Sequence, residues 1–148
     1  MACHQSTPSV KVCDPLPLSS IDRPIKPNME SLEKKIVKWD GADEAVVFPS
    51  GMAAISTTVL ALLRPGDRML SSDPIYGGTE HLFRHVLPDM GITVDFFPAG
   101  ASEHEIADLL AERPCRLVWV ENPCNPLVQL TSIKAVASAI KRSSSRHI

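Results

Sequence analysis

Ala45-Val-Val-Phe-Pro-Ser-Gly-Met-Ala-Ala-Ile55 decides how this chain is read. Val46, Val47 and Phe48 are β-branched or aromatic, and they predict a short buried strand over Ala45–Phe48. Pro49-Ser50-Gly51 breaks that run, and the small residues beyond it predict a helix from about Met52 to Leu63. A strand that turns at once into a helix aims uncapped backbone N–H groups, and the positive end of the helix dipole, at one point. A phosphate or similar anion suits that point.

Outward from this junction the chain alternates. Toward the N-terminus, Asn28 is placed to cap a helix over about Glu30 to Trp39, where Leu32, Ile36 and Trp39 recur at helical spacing, and Gly41 stops it. Toward the C-terminus, strands are predicted at Arg68–Ser71, Ile92–Phe97 and Arg116–Glu121. Helices are predicted at about Gly78–Met90, Ser102–Glu112 and Ser132–Lys141, the second opened by the capping box Ser102-Glu-His-Glu105. The strands are apolar runs rather than alternations, the pattern of strands covered on both faces. Four strand–helix units in a row predict a three-layer α/β fold: a mostly parallel sheet, right-handed crossovers, helices on both sides. Met1–Lys26, with four prolines and no sustained periodicity, predicts an extended or disordered arm.

With 148 residues, 44% of them hydrophobic and 22% charged, the chain suits one soluble globular domain. A formal net charge of −2 offers no attraction to nucleic acid or an anionic membrane. Ala45–Leu63 runs nineteen positions without a charge, but Pro49, Ser50, Gly51, Ser56, Thr57 and Thr58 interrupt it, so a buried strand and helix explain it better than a membrane span. Cys3, Cys13, Cys115 and Cys124 show no C-x-x-C spacing and follow no apolar leader, which predicts reduced thiols, a cytoplasmic location and no metal centre.

In a parallel sheet of this kind, ligands bind beyond the carboxyl ends of the strands. Three loops fall there. Ser50-Gly51-Met52 presents the free amides. Asp73-Pro-Ile-Tyr-Gly-Gly-Thr79 carries Tyr76, the only tyrosine, placed to stack on a flat ring. Glu121-Asn-Pro-Cys-Asn-Pro126 is stiffened by two prolines and presents Asn125 as a hydrogen-bond donor. From spacing alone each has an ordinary alternative: a tight turn without ligand, a half-buried turn tyrosine, an Asx-turn.

Together and in this order, Leu32-Glu33, Phe48-Pro-Ser-Gly-Met-Ala-Ala54, Asp73-Pro-Ile-Tyr-Gly-Gly-Thr79 and Glu121-Asn-Pro-Cys-Asn-Pro126 resemble the cysteine/methionine-metabolism family of pyridoxal-phosphate enzymes. Cystathionine γ-synthase, the cystathionine lyases, methionine γ-lyase and the O-acylhomoserine sulfhydrylases belong to that family. The resemblance implies the large cofactor-binding domain of a fold-type I, aspartate aminotransferase-like enzyme, with pyridoxal 5′-phosphate as cofactor. Carried over, Ser50, Gly51 and Met52 hold the cofactor phosphate. Tyr76 stacks on the pyridine ring and assists proton movement at the substrate amine, and Asn125 hydrogen-bonds the ring hydroxyl oxygen. The substrates implied are sulfur-containing or O-acylated amino acids, eliminated or replaced at Cγ or Cβ, by a homodimer or homotetramer.

The departures sit at both ends. Where the family has Tyr-x-Arg and then Asn-Pro-Thr, this chain has Ile21, Arg23 and Lys26-Pro27-Asn28, so Arg23 alone remains of the pair given to a neighbouring subunit's phosphate site. The family's pyridine-pairing Asp and its Schiff-base lysine follow the helix that begins near Ser132, and neither is in the 148 residues. The expected organisation is therefore an arm over residues 1–27 and an incomplete cofactor-binding domain over 28–148, inactive by itself. Two non-catalytic alternatives go with it: a truncated subunit that modulates full-length homologues, or a small α/β domain for a phosphorylated ligand.

Overall fold

A computed structural model describes residues 27–144. The chain divides into two compact units, Met1–Pro49 and Ser50–Ile148. The predicted arm, with Cys3, Cys13 and Arg23, lies outside the described residues.

In the first unit, helix α1 runs Pro27–Asp40. It starts on Pro27, whose missing N–H costs nothing in a first turn, so Asn28 lies inside the helix rather than capping it. Gly41 ends it with φ +62°, and Ala42 N–H reaches back 3.2 Å to Val37 O, as in a Schellman closure. The predicted strand at Ala45–Phe48 does not form. Val47 N–H donates to the Glu33 carboxylate at 3.0 Å instead of to a ladder carbonyl, and none of the four residues is buried. β-propensity without a partner strand did not make a strand here.

The second unit holds the parallel sheet, with three strands among the described residues rather than the four predicted. These are β1 (Arg68–Asp73), β2 (Thr93–Pro98) and β3 (Leu117–Trp119), in the order β2-β1-β3. Met69 pairs with both Val94 and Leu117, so β1 is the central strand. The strands divide their side chains by parity, as pleating requires. Met69 joins Val59, Leu63, Ile75, Phe83, Leu87 and Ile92 in one core, while Leu70 joins Phe97 and five residues from Ala101 to Ala139 in addition to Val136 on the other. The first core is covered by α2 (Gly51–Leu62) and by the helical run after β1. The second is covered by α5 (Glu103–Glu112) and α6 (Ile133–Ser144). This is the three-layer arrangement that the sequence predicts.

The helix predicted over Gly78–Met90 is present but changes pitch. It passes from α3 (Gly77–His81) through a π-helical segment, Leu82–Val86, into α4 (Leu87–Asp89). Pro88 has no N–H for the Arg84 carbonyl, and Leu87 N–H reaches Leu82 O, five residues back. The wider turn keeps Phe83 and Leu87 on the buried side. No helix among the described residues is long and apolar enough to cross a membrane.

The capping box at α5 is formed as predicted. Glu105 N–H donates to Ser102 Oγ, and Ser102 N–H donates to the Glu105 carboxylate at 2.8 Å. That backbone bond, with a second from the Ser102 hydroxyl, holds the Glu105 carboxyl below its ordinary value. A lowered carboxyl adds stability above the unfolded-state value of about 4.3 and loses it as pH falls through the folded value. The thermal midpoint of Glu105→Gln should therefore lie below wild type at pH 7 and converge on it at acid pH. Parallel melting curves from pH 7 to 3 with no convergence would contradict this.

Candidate functional site

Helix α2 is satisfied at one end and open at the other. At its C-terminus, Arg64 Nη1 donates to the carbonyls of Leu60, Ala61 and Leu63, and Leu63 N–H donates to Val59 O. At its N-terminus, Ser50 is the N-cap: its Oγ accepts Ala53 N–H at 3.1 Å, and its carbonyl accepts Ala54 N–H. Gly51 N–H and Met52 N–H have no acceptor among the described residues. The first turn carries no acidic side chain to neutralise the dipole. Two donors without an acceptor at the start of a twelve-residue helix are an arrangement that suits an anion.

Tyr76 is brought to the same place. A Cβ added at Gly78 would stand 2.8 Å from Tyr76 Cε1 and 2.9 Å from Met52 Sδ, so the phenol ring and the Met52 side chain close on Gly78 together. Gly78 is required here because the neighbouring side chains occupy that space. Tyr76 is 46% exposed, leaving ring surface open for a flat ligand.

The third loop is joined to the second through Glu121. One carboxylate oxygen accepts Tyr76 N–H at 2.7 Å, the other accepts the Thr79 hydroxyl at 2.7 Å, and Glu121 N–H donates to Ser72 Oγ at 3.3 Å. Ser72 and Thr79 are both buried. In the sequence Glu121 is marked only by its place in the Glu121-Asn-Pro-Cys-Asn-Pro126 motif, an acid at the end of a predicted strand. Asn122 Oδ1 accepts Thr131 N–H, and Cys124 and Val128–Gln129 exchange backbone bonds, which close the loop. Asn125 is exposed on it, and its side chain makes no hydrogen bond among the described residues.

Strand order explains why these loops meet. β1 and β3 are neighbours, yet the chain leaves β1 toward the Met69 core and β3 toward the Leu70 core. Connections that part to opposite faces open a crevice between the two carboxyl ends, where ligands of open α/β sheets bind. Ser50, Gly51, Met52 and Tyr76 are gathered at one end of the second unit, and Asn125 lies on the loop that Glu121 ties to it. These groups fit a ligand with a phosphate and a planar ring.

Elsewhere the chemistry is quiet. Cys115 and Cys124 are free thiols, and burial pushes the Cys115 thiol up, away from the reactive thiolate. Among the described residues no group of three or more His, Cys, Asp or Glu side chains is arranged to hold a metal ion. The described lysines lie on α1 and α6, none of them on the three loops.

Residues 20–148 match the family described as Cys/Met metabolism PLP-dependent enzyme. Cystathionine gamma-lyase of Rattus norvegicus is 34% identical over 116 residues, covering 78% of this chain and 28% of the relative. A probable cystathionine gamma-synthase of Herpetosiphon aurantiacus is 37% identical over 111 residues, covering 74% and 34%. Among solved structures, O-acetylhomoserine sulfhydrylase of Wolinella succinogenes superposes with a TM-score of 0.71 at 30% identity, over 80% of this chain and 34% of that one. A methionine gamma lyase of Micromonospora echinospora gives 0.70 at 36% identity, over 83% and 32%. The chain spans about a third of the length of these relatives.

Proposed function

Because this chain belongs to the Cys/Met-metabolism family of PLP-dependent enzymes, we propose that Ser50, Gly51, Met52, Tyr76 and Asn125 form the phosphate and ring side of a pyridoxal 5′-phosphate site in a trans-sulfuration enzyme. The observation that carries this reading is the open pair of amides at the start of α2, with the Tyr76 ring and the Met52 side chain meeting at Gly78. Gly51 and Met52 N–H groups hold the phosphate, and the Ser50 hydroxyl retains its own proton to donate. The Tyr76 ring lies on the pyridine, and its phenol takes part in proton movement at the substrate amine. Asn125 donates to the ring hydroxyl oxygen. When bound, the cofactor supplies an electron-withdrawing ring that stabilises negative charge at the substrate Cα.

The same reading assigns residues 28–148 to the large cofactor-binding domain of a cytoplasmic homodimer or homotetramer. Substrates are sulfur-containing or O-acylated amino acids, with elimination or replacement at Cγ or Cβ. By itself the 148-residue chain does not turn substrate over, since no described lysine stands on the site loops. Borohydride that fixed pyridoxal phosphate on one defined lysine, with thiol or keto acid released from cystathionine, would refute that statement.

Cofactor binding is tested with pyridoxine 5′-phosphate, which has no aldehyde to react with surface lysines. Calorimetry should show it binding at least about tenfold tighter than pyridoxine, the cost of leaving both amides without an anion. Gly78→Ala should weaken it by a further threefold to tenfold, roughly the worth of one aromatic stack, because the new methyl displaces the Tyr76 ring. Equal affinity for the two ligands would sink the reading.

A further inference from the structure

We propose that Glu121 is a positioning residue whose carboxylate, holding Tyr76 N–H and the Thr79 hydroxyl at once, fixes the phenol ring beside the anion-binding end of α2. The inference rests on the function just proposed and adds the group that sets the ring's place. Tyr76 stands at the mouth of the crevice, nearly half exposed, with no side-chain cap bond at the start of α3. Burial alone does not hold such a ring. Its backbone is anchored instead: Glu121 Oε2 takes Tyr76 N–H at 2.7 Å, and Oε1 takes the hydroxyl of Thr79 at 2.7 Å, three residues along in α3. Charge-assisted bonds of this length are among the stronger ones available to a side chain.

The anchor is itself fixed. Glu121 N–H donates to Ser72 Oγ at 3.3 Å, and Ser72 is a fully buried residue of the central strand. Thr79, the other contact, is 0% exposed. The carboxylate therefore spans the crevice between the carboxyl ends of β1 and β3. It converts two separately connected loops into one rigid rim. Tyr76 Cε1 and Met52 Sδ meet around Gly78 only while that rim is in register.

Tyr76 is the only tyrosine in the chain, so 3-fluorotyrosine places a single fluorine label on the ring in question. Wild type should give one fluorine resonance displaced from the free amino acid, and Glu121→Ala should move it at least halfway back. Glu121→Gln should stay near wild type, because the amide can accept from Tyr76 N–H and donate to Thr79 Oγ1. Ligand titrations separate placing the ring from merely stabilising the fold. Glu121→Ala should lose most of the preference for pyridoxine 5′-phosphate over inorganic phosphate, while inorganic phosphate affinity stays within about twofold. An unmoved fluorine resonance in Glu121→Ala overturns the proposal, as does an equal loss of both ligands. Wild type that binds neither ligand defeats the cofactor reading, and the fluorine comparison still decides the role of Glu121.

Discussion

Phe83→Ala should lower the stability of the folded chain by about 3–5 kcal/mol, the usual cost of emptying a large aromatic site. Phe83 is 0% exposed and packs among Val59, Met69, Ile75, Leu87 and Ile92. Its ring meets Trp119 edge-on, with centroids 5.7 Å apart and planes at 88°, a contact that adds to area burial. Phe83 sits in the π-helical segment, where the backbone already departs from α pitch and has little freedom to close over a void. Domains of this size have about 5–15 kcal/mol in total, so the variant should be near the edge of folding. Urea unfolding followed by tryptophan fluorescence should show the midpoint falling by roughly 1–3 M. Phe83→Leu, which keeps most of the volume, should fall by much less. Equal midpoints for wild type and Phe83→Ala would remove Phe83 from the core.

Arg68→Met comes next, at about 2–4 kcal/mol. The Arg68 side chain is only 5% exposed, yet it is charged. Its Nε donates to Asp95 Oδ2 on β2 at 2.5 Å, while both terminal nitrogens reach Leu109 O and one also reaches Arg113 O. One guanidinium thus joins the first residue of the central strand to the neighbouring strand and to the last carbonyls of α5. Methionine fills similar space but leaves those carbonyls without donors. Arg113 remains on Asp95 at 3.0 Å, so the carboxylate is not stranded, which keeps the loss below that of a wholly unpaired charge. Arg68→Lys should recover less than half of the deficit, since a single ammonium cannot fork to strand and helix together. Full recovery by lysine would show that charge, rather than the planar fork, is what matters.

The two variants mark what the sequence made legible and what it did not. Apolar runs flanked by turn signals marked β1, β2 and β3 and their parallel arrangement, though not their order, because covered strands leave that pattern whatever their neighbours. Ser102 and Glu105 announced their capping box because both partners lie within one turn. Ala45–Phe48 misled: its β-branched residues state a preference, and Val47 N–H met the Glu33 carboxylate instead. Nor did periodicity show the π-helical segment, which depends on a proline withholding one donor four residues later. At the candidate site, Gly51, Met52, Tyr76 and Asn125 stood out as loop residues at strand ends. Glu121 and Thr79 did not. Their importance lies in bonds between positions 42 and 45 apart, and no local pattern records which distant donor an acid will accept.

The pairing of the sheet has a kinetic consequence. Arg68 lies against Thr93, 25 positions further on, and Met69 against Leu117, 48 positions further on. No two of the three strands are joined by a tight hairpin, so every rung requires the closure of a long loop before it returns any energy. The helices between them can flicker into existence within microseconds, but the central strand must wait for both neighbours. Refolding from urea should therefore be slow beside that of a helical bundle of similar length, with apolar strands left unsheltered in the interval.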